Sequence, residues 1–165
     1  MTEKNTMHSV LNSEFNAVCD MIKLAIENID ESVWHAKTND WSYVTTLYHI
    51  IDTIEFYSHD GPDDMSLKGS LGITESDLTE EKLEKQLVGK KKDFFYTYIE
   101  NIREKILTKI KSLTVDELQE SDDFSKFGFT SRFHKYSYVL RHTMLHTGEL
   151  NKTLRDMNKT RIKWI

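Results

Sequence analysis

Four long segments of the chain repeat apolar residues at intervals of three and four positions. These segments cover about residues 5–36, 41–57, 79–110 and 131–158. That interval places apolar side chains on one face of an α-helix, and no segment shows the strict alternation that is typical of a β-strand. One proline and six glycines in the whole chain leave these segments few helix breakers. The sequence therefore predicts an all-α protein.

Four amphipathic helices in 165 residues predict a single four-helix-bundle domain covering residues 1–165. The short link "KTND", with Asn39 or Asp40 as a helix cap, predicts that the first two long helices are antiparallel neighbours. The link from Gly61 to Asp77 belongs to a connector of about 20 residues, which is long enough to traverse a bundle. A parallel arrangement of the second and third long helices is therefore allowed. Within the third segment, Gly89 predicts a kink or a break, and "TVDELQESDDFSKFGF" predicts a connector with one short helical turn.

Composition narrows the classes of protein. The formal net charge of −5 does not favour a general nucleic-acid-binding surface, and no apolar run has the length of a membrane span. The start "MTEKNTMHSV" does not resemble a signal peptide, and a single cysteine cannot form an internal disulfide. We therefore expect a cytoplasmic protein that binds neither nucleic acid nor membrane. The aromatic content and the ending "IKWI" also predict self-association, as a homodimer.

Two histidines in the fourth segment stand four residues apart, in "VLRHTMLHTGEL". His142 and His146 therefore lie one turn apart on the same side of the helix, where both can reach one divalent ion. Two nitrogens do not make a tight site, so a third ligand has to come from another helix. His49 is the best candidate, because it stands in the middle of the apolar and aromatic segment "WSYVTTLYHIIDTIEFY". The alternative is that all three are ordinary core or surface histidines.

At these residues the sequence resembles a known family, the DinB/YfiT-like proteins. "WSYVTTLYHI", with a tryptophan opening a helix and a histidine following, is similar to the first motif of that family. "HTMLHTGEL" is similar to the motif of its last helix, in which two histidines four apart precede a glycine, here Gly148. One difference is Glu149, where the family often has glutamine. The resemblance covers nearly the whole chain.

The resemblance implies an up-down-down-up four-helix bundle with a metal site formed by His49, His142 and His146. Three protein ligands leave a coordination position for exchangeable water or substrate. Zinc and nickel both suit imidazole ligands. The family implies either thiol transfer to a small electrophile, with a low-molecular-weight thiol, or metal-dependent hydrolysis. The alternative is a bundle that binds a metal or a ligand without catalysis.

Two carboxylates are weaker candidates for a role in catalysis. Asp52 follows His49 by three residues, and Glu149 follows His146 by three. Either one can orient its histidine or act as a general base, and the competing interpretation is a solvated carboxylate on a helix surface. Cys19 is expected to be a small core residue, since no partner base can be assigned to it.

Overall fold

The computed structural model describes residues 3–38, 40–63, 79–87 and 89–165. These residues contain no β-strand, and the nearest approach to one is an isolated bridge between Lys37 and Ser42. The protein is therefore all-α, as the apolar spacing predicts. The helices, in chain order, are α1 (Glu3–Glu27), α2 (Glu31–Trp34), α3 (Tyr43–Tyr57), α4 (Glu80–Leu87), α5 (Lys92–Ser112), α6 (Val115–Gln119) and α7 (Arg132–Asp156), with a 3₁₀ turn (Asp123–Phe127) before α7.

The first predicted helix is two helices. A single helix over residues 5–36 is wrong, because α1 ends at Glu27 and α2 begins at Glu31. Asp30 has an extended backbone, and its side chain accepts hydrogen bonds from the backbone N–H groups of Ser32 and Val33. A capping aspartate satisfies N–H groups that have no partner in the first turn of a helix, so it starts a new helix at this point.

Helix α3 begins two residues later than predicted, at Tyr43. Its N-cap is Ser42, whose side chain accepts a hydrogen bond from the backbone N–H of Thr45. The predicted cap at Asn39 or Asp40 is therefore wrong for Asp40, while Asn39 lies outside the described residues. Ser131 caps α7 in the same way, through the backbone N–H of His134, close to the predicted start of that helix.

The third predicted helix is interrupted near Gly89, as expected. Helix α4 ends at Leu87, and Lys91 has an extended backbone immediately before α5. The following connector contains more helix than the single turn predicted. A capping box between Thr114 and Glu117 starts α6, and the 3₁₀ turn ends at Gly128, whose φ of 91° suits glycine.

The four long helices α1, α3, α5 and α7 form the packed body of the protein. Each of α1 and α3 packs against both α5 and α7, so α1 and α3 occupy opposite corners. The prediction that α1 and α3 are neighbours is wrong, since the link carrying α2 is long enough to cross between corners. Tyr43 still joins the two helices at one end, donating a hydrogen bond to the carbonyl of Ala25 over 3.1 Å.

Contacts between the helices give their directions. Along α3 and α5 the partners rise together: Asp52 meets Tyr98, Glu55 meets Lys105, and Asp60, just beyond α3, meets Lys109. Helices α3 and α5 therefore run in the same direction. Residues 64–78 of the connection between them lie outside the described residues.

The pair formed by α3 and α7 and the pair formed by α1 and α5 are both antiparallel. His49 meets His142 while Tyr57 meets Tyr138, so α3 and α7 run in opposite directions. Asn16 meets Arg103 while His8 meets the carbonyl of Leu113, which gives the same relation for α1 and α5.

The core contains buried side chains from all four long helices. These include Phe15, Ile22, Leu47, Ile54, Phe95, Ile106, Val139 and Leu150. A charged pair is buried where α3 ends and α7 begins: Lys135 has no exposed surface and donates to Asp122 and to the carbonyl of His59. The apolar core holds α3 and α7 side by side, which positions the histidines described next.

Candidate metal centre

His49 of α3 meets His142 and His146 of α7 where the two helices pack together. The Nε2 atom of His142 lies 3.3 Å from Nε2 of His49 and 3.2 Å from Nε2 of His146. One nitrogen from each ring belongs to a group whose members all lie within 4.8 Å of one another. All three histidines are half-buried. The structure therefore brings together the three residues predicted from the sequence.

These distances fit a common ion. Two nitrogens that bind one tetrahedral ion at about 2.0–2.1 Å lie about 3.3 Å apart. The two contacts of His142 have that length. The ring planes are inclined to one another by 61° to 88°, so the imidazoles converge edge-on and do not stack. A cluster of this kind could hold a divalent metal ion.

Hydrogen bonding alone explains these contacts poorly. An imidazole nitrogen carries either one N–H or one lone pair, directed outward in the plane of the ring. Nε2 of His142 can therefore form one good hydrogen bond, yet it lies within 3.3 Å of two other nitrogens. The arrangement of the three nitrogens suits a shared cation better than a pair of hydrogen bonds.

Trp41 closes one side of the histidine cluster. Its ring centroid lies 4.8 Å from that of His49, edge to face, and 6.4 Å from that of His146, nearly parallel at 20°. Trp41 comes two residues before α3 and directly precedes Ser42, the N-cap of that helix. The tryptophan of the first motif therefore contacts two of the three histidines.

Glu149 lies beside the cluster. Its Oε2 atom is 2.7 Å from Nδ1 of His146. A carboxylate in this position accepts the Nδ1–H, so that Nε2 carries the lone pair and faces the other two rings. The geometry thus supports the orienting role considered for Glu149.

Asp52 lies in a network of hydroxyl and carboxylate groups between α3 and α5. Its Oδ1 accepts a hydrogen bond from Tyr48 over 3.1 Å and lies 3.3 Å from the hydroxyl of Tyr98. The same Tyr98 hydroxyl is 2.6 Å from Oε2 of Glu55, which makes Glu55 its closer acceptor. The carboxylate of Asp52 therefore helps to join the two parallel helices.

The structure also shows the surroundings of Cys19 and Gly148. Cys19 is buried, and burial raises the pKa of its thiol to about 12, so this cysteine is a core residue. Gly148 has open space where a Cβ atom would stand, so neither a helix nor another described segment approaches it closely.

Tyr138 and Arg141 lie beside the histidine cluster on α7, and sequence reasoning did not single out either residue. The Tyr138 ring lies 5.6 Å from that of His142, and the guanidinium carbon of Arg141 lies 5.8 Å from the Tyr138 ring centroid. Tyr138 precedes His142 by four residues. This spacing places two side chains next to each other on a helix, so it could have indicated the contact from the sequence.

Comparison with known proteins gives no relative: no family model, no curated protein and no solved structure matches the chain. In the part of the chain that the structure describes, no helix combines the length and the apolar character that a membrane span requires.

Proposed function

We propose that the protein binds one divalent metal ion through His49, His142 and His146. The observation that carries this proposal is the position of His142, whose Nε2 lies 3.3 Å or less from a nitrogen of each of the other two histidines. Neutral imidazoles are the binding form, and Glu149 holds His146 in the tautomer that directs Nε2 inward. Zinc and nickel are the proposed metals, because both suit imidazole ligands.

We further propose that the site is catalytic. Structural zinc sites are usually closed by four protein ligands, whereas three leave a position for water or substrate. When bound, the ion supplies Lewis acidity, which activates a water or thiol nucleophile and polarises an electrophile. The chain contributes the rest of the site: Trp41 packs against His49, and the three histidines are only half-buried, so a small molecule can reach them from solvent.

The proposed reaction is thiol transfer to a small electrophile or hydrolysis of an ester or amide. We propose this reaction because the chain resembles the DinB/YfiT-like proteins. Two features support the resemblance. One ligand comes from the second long helix and two come from the fourth, and the long helices alternate as up, down, down and up.

Metal content tests the binding proposal. Protein purified without a histidine tag should contain about one equivalent of divalent metal, as measured by inductively coupled plasma mass spectrometry. His142→Ala should lose most of that metal and retain its helix content in circular dichroism, because the apolar core is untouched. His134→Ala is the matched control: the same substitution, on the same helix, at an exposed histidine. Equal metal content in wild type and His142→Ala would refute the assigned site.

Chelation tests the catalytic proposal. Turnover of a chlorodinitrobenzene by a small thiol, or of a nitrophenyl ester by water, should disappear on chelation and return when zinc or nickel is added. Metal binding without turnover in either reaction would favour the non-catalytic binding protein.

A further inference from the structure

Arg141 lies on the exposed side of α7, immediately before His142. Its guanidinium carbon is 5.8 Å from the centroid of the Tyr138 ring, and that ring is 5.6 Å from the ring of His142. One aromatic ring therefore separates a permanent positive charge from the proposed metal centre. Tyr138 thus lies next to both His142 and Arg141 on α7.

The guanidinium of Arg141 is not committed to a carboxylate. Arg103 pairs with Asp20, and Arg132 lies near Asp122. Within the described ranges Arg141 has no ion pair, and its guanidinium lies over the Tyr138 ring. A guanidinium held over an aromatic ring keeps its N–H donors at its edge, in the geometry that matches a carboxylate.

Two apolar side chains of α7 stand within about one turn of both Arg141 and His142. Leu145 follows Arg141 by one turn and directly precedes His146, and its surface is 63% exposed. Tyr138 precedes Arg141 by three residues, and its ring lies near both Arg141 and His142.

We infer that the substrate of the metal site carries a carboxylate, which Arg141 binds while another atom of the substrate reaches the ion. This inference rests on the proposed function and adds the substrate class: a small molecule with a metal-binding head, a short apolar spacer and one carboxylate. A single guanidinium matches the single charge of a carboxylate, and the two groups form paired N–H···O hydrogen bonds. Arg141 acts here as a specificity residue.

Matched thiols test this assignment on protein loaded with cobalt, whose visible spectrum reports a sulfur ligand. Mercaptohexanoate and mercaptohexanol have the same metal-binding head and spacer and differ in the carboxylate. Wild type should bind the acid about three- to tenfold more tightly than the alcohol, as expected for a partly exposed arginine–carboxylate pair. That preference should fall as salt is added.

Two substitutions separate the role of Arg141 from general effects. Arg141→Gln should bring the ratio of the two dissociation constants to about one and leave the affinity for mercaptohexanol unchanged. Arg155→Gln, also on α7 and exposed, should keep the wild-type ratio. Arg141→Lys should retain part of the preference, since it keeps the charge and loses the paired hydrogen bonds.

The outcomes are distinguishable. Protein that takes up no cobalt would overturn both the proposed metal site and this inference. Cobalt uptake with equal ratios in wild type and Arg141→Gln would overturn only the role of Arg141. A wild-type preference that does not change with salt would also overturn it, because an ion pair at an exposed residue is screened.

Discussion

The carboxylate of Glu149 lies 2.7 Å from Nδ1 of His146, on the side of the ring away from the other two histidines. Partners of this kind orient a metal ligand and raise its basicity. We predict that Glu149→Ala lowers metal affinity by about 10- to 100-fold. Glu149→Gln should lose less, because its amide oxygen can still accept the Nδ1–H. Competition with a chromophoric chelator measures both, and Asp156→Ala on the same helix is the control. Unchanged affinity in Glu149→Ala would contradict the orienting role.

The buried ion pair between Lys135 and Asp122 should contribute strongly to the stability of the fold where α7 begins. The exposed fractions of these side chains are 0% and 3%. Burial lowers the pKa of Lys135, and the neighbouring Asp122 opposes that shift. Asp122→Asn leaves a buried ammonium without its counter-charge, which costs about 3–5 kcal/mol of unfolding free energy. Urea unfolding measures the loss.

Asp63→Asn provides the comparison for that substitution. Asp63 also pairs with a lysine, Lys126, but its side chain is 92% exposed. Its replacement should change the unfolding free energy by about 0.5 kcal/mol or less. Similar losses of unfolding free energy in Asp122→Asn and Asp63→Asn would show that burial does not determine how much an ion pair contributes to stability.

Asp30 should make stability sensitive to acid. Its hydrogen bond with Lys159, and then that with Ser32, lowers the pKa of Asp30 to about 2. An aspartate in an unfolded chain titrates near pH 3.9. Because the folded pKa is the lower one, the contribution of Asp30 is complete above about pH 4 and disappears as the pH falls to about 2.

Melting temperatures measured from neutral pH downward test this dependence. Asp30→Asn should melt below wild type at neutral pH, and the difference should vanish near pH 2. Lys159→Ala should show the same trend, since it removes the main cause of the shift. A difference that stays constant down to pH 2 would rule out the ionised carboxylate as its source.

Self-association is a further prediction. Ile162 is buried and fixed by two hydrogen bonds with Asn151, while Trp164 and Ile165 beyond it are 79% and 57% exposed. We propose that this exposed apolar end contacts a second copy of the chain. Light scattering should give the mass of a dimer at micromolar concentration, and Trp164→Ala should shift it towards the monomer. Val10→Ser, at a valine exposed elsewhere, should not. A monomer in wild type would reject the proposal.

Apolar spacing predicted the helices better than it predicted their ends. The stripes of α3 and α7 face the core, so the residues that stabilise these helices also mark them in the sequence. The break at Asp30 depends on one capping side chain inside a continuous apolar pattern, and the pattern does not reveal it. The relative positions of α1 and α3 were predicted wrongly, because the length of the link between them permits both neighbouring and diagonal arrangements.

The candidate site shows the same limit. Asp52 and Glu149 each follow a histidine by three residues, so their spacing does not show which of them is the better candidate for orienting a histidine. In the fold, Oε2 of Glu149 lies 2.7 Å from Nδ1 of His146, and Oδ1 of Asp52 lies 3.3 Å from the hydroxyl of Tyr98 in α5. The position of Asp52 next to α5 depends on how the helices pack, which a single sequence does not contain. Arg141 was missed for a related reason, since an exposed arginine on an amphipathic helix looks like any solvated residue.

The separation of the histidines along the chain has a consequence for the order of folding. His49 and His142 are 93 positions apart, and two of the three nitrogens belong to α7. A chain whose helices have all formed, but whose α7 has not yet docked on α3, offers an ion only the pair on α7. Metal uptake would therefore report the docking of these two helices, which helix content measured by far-ultraviolet circular dichroism does not detect. An ion bound there would stabilise only the docked state of α7 on α3.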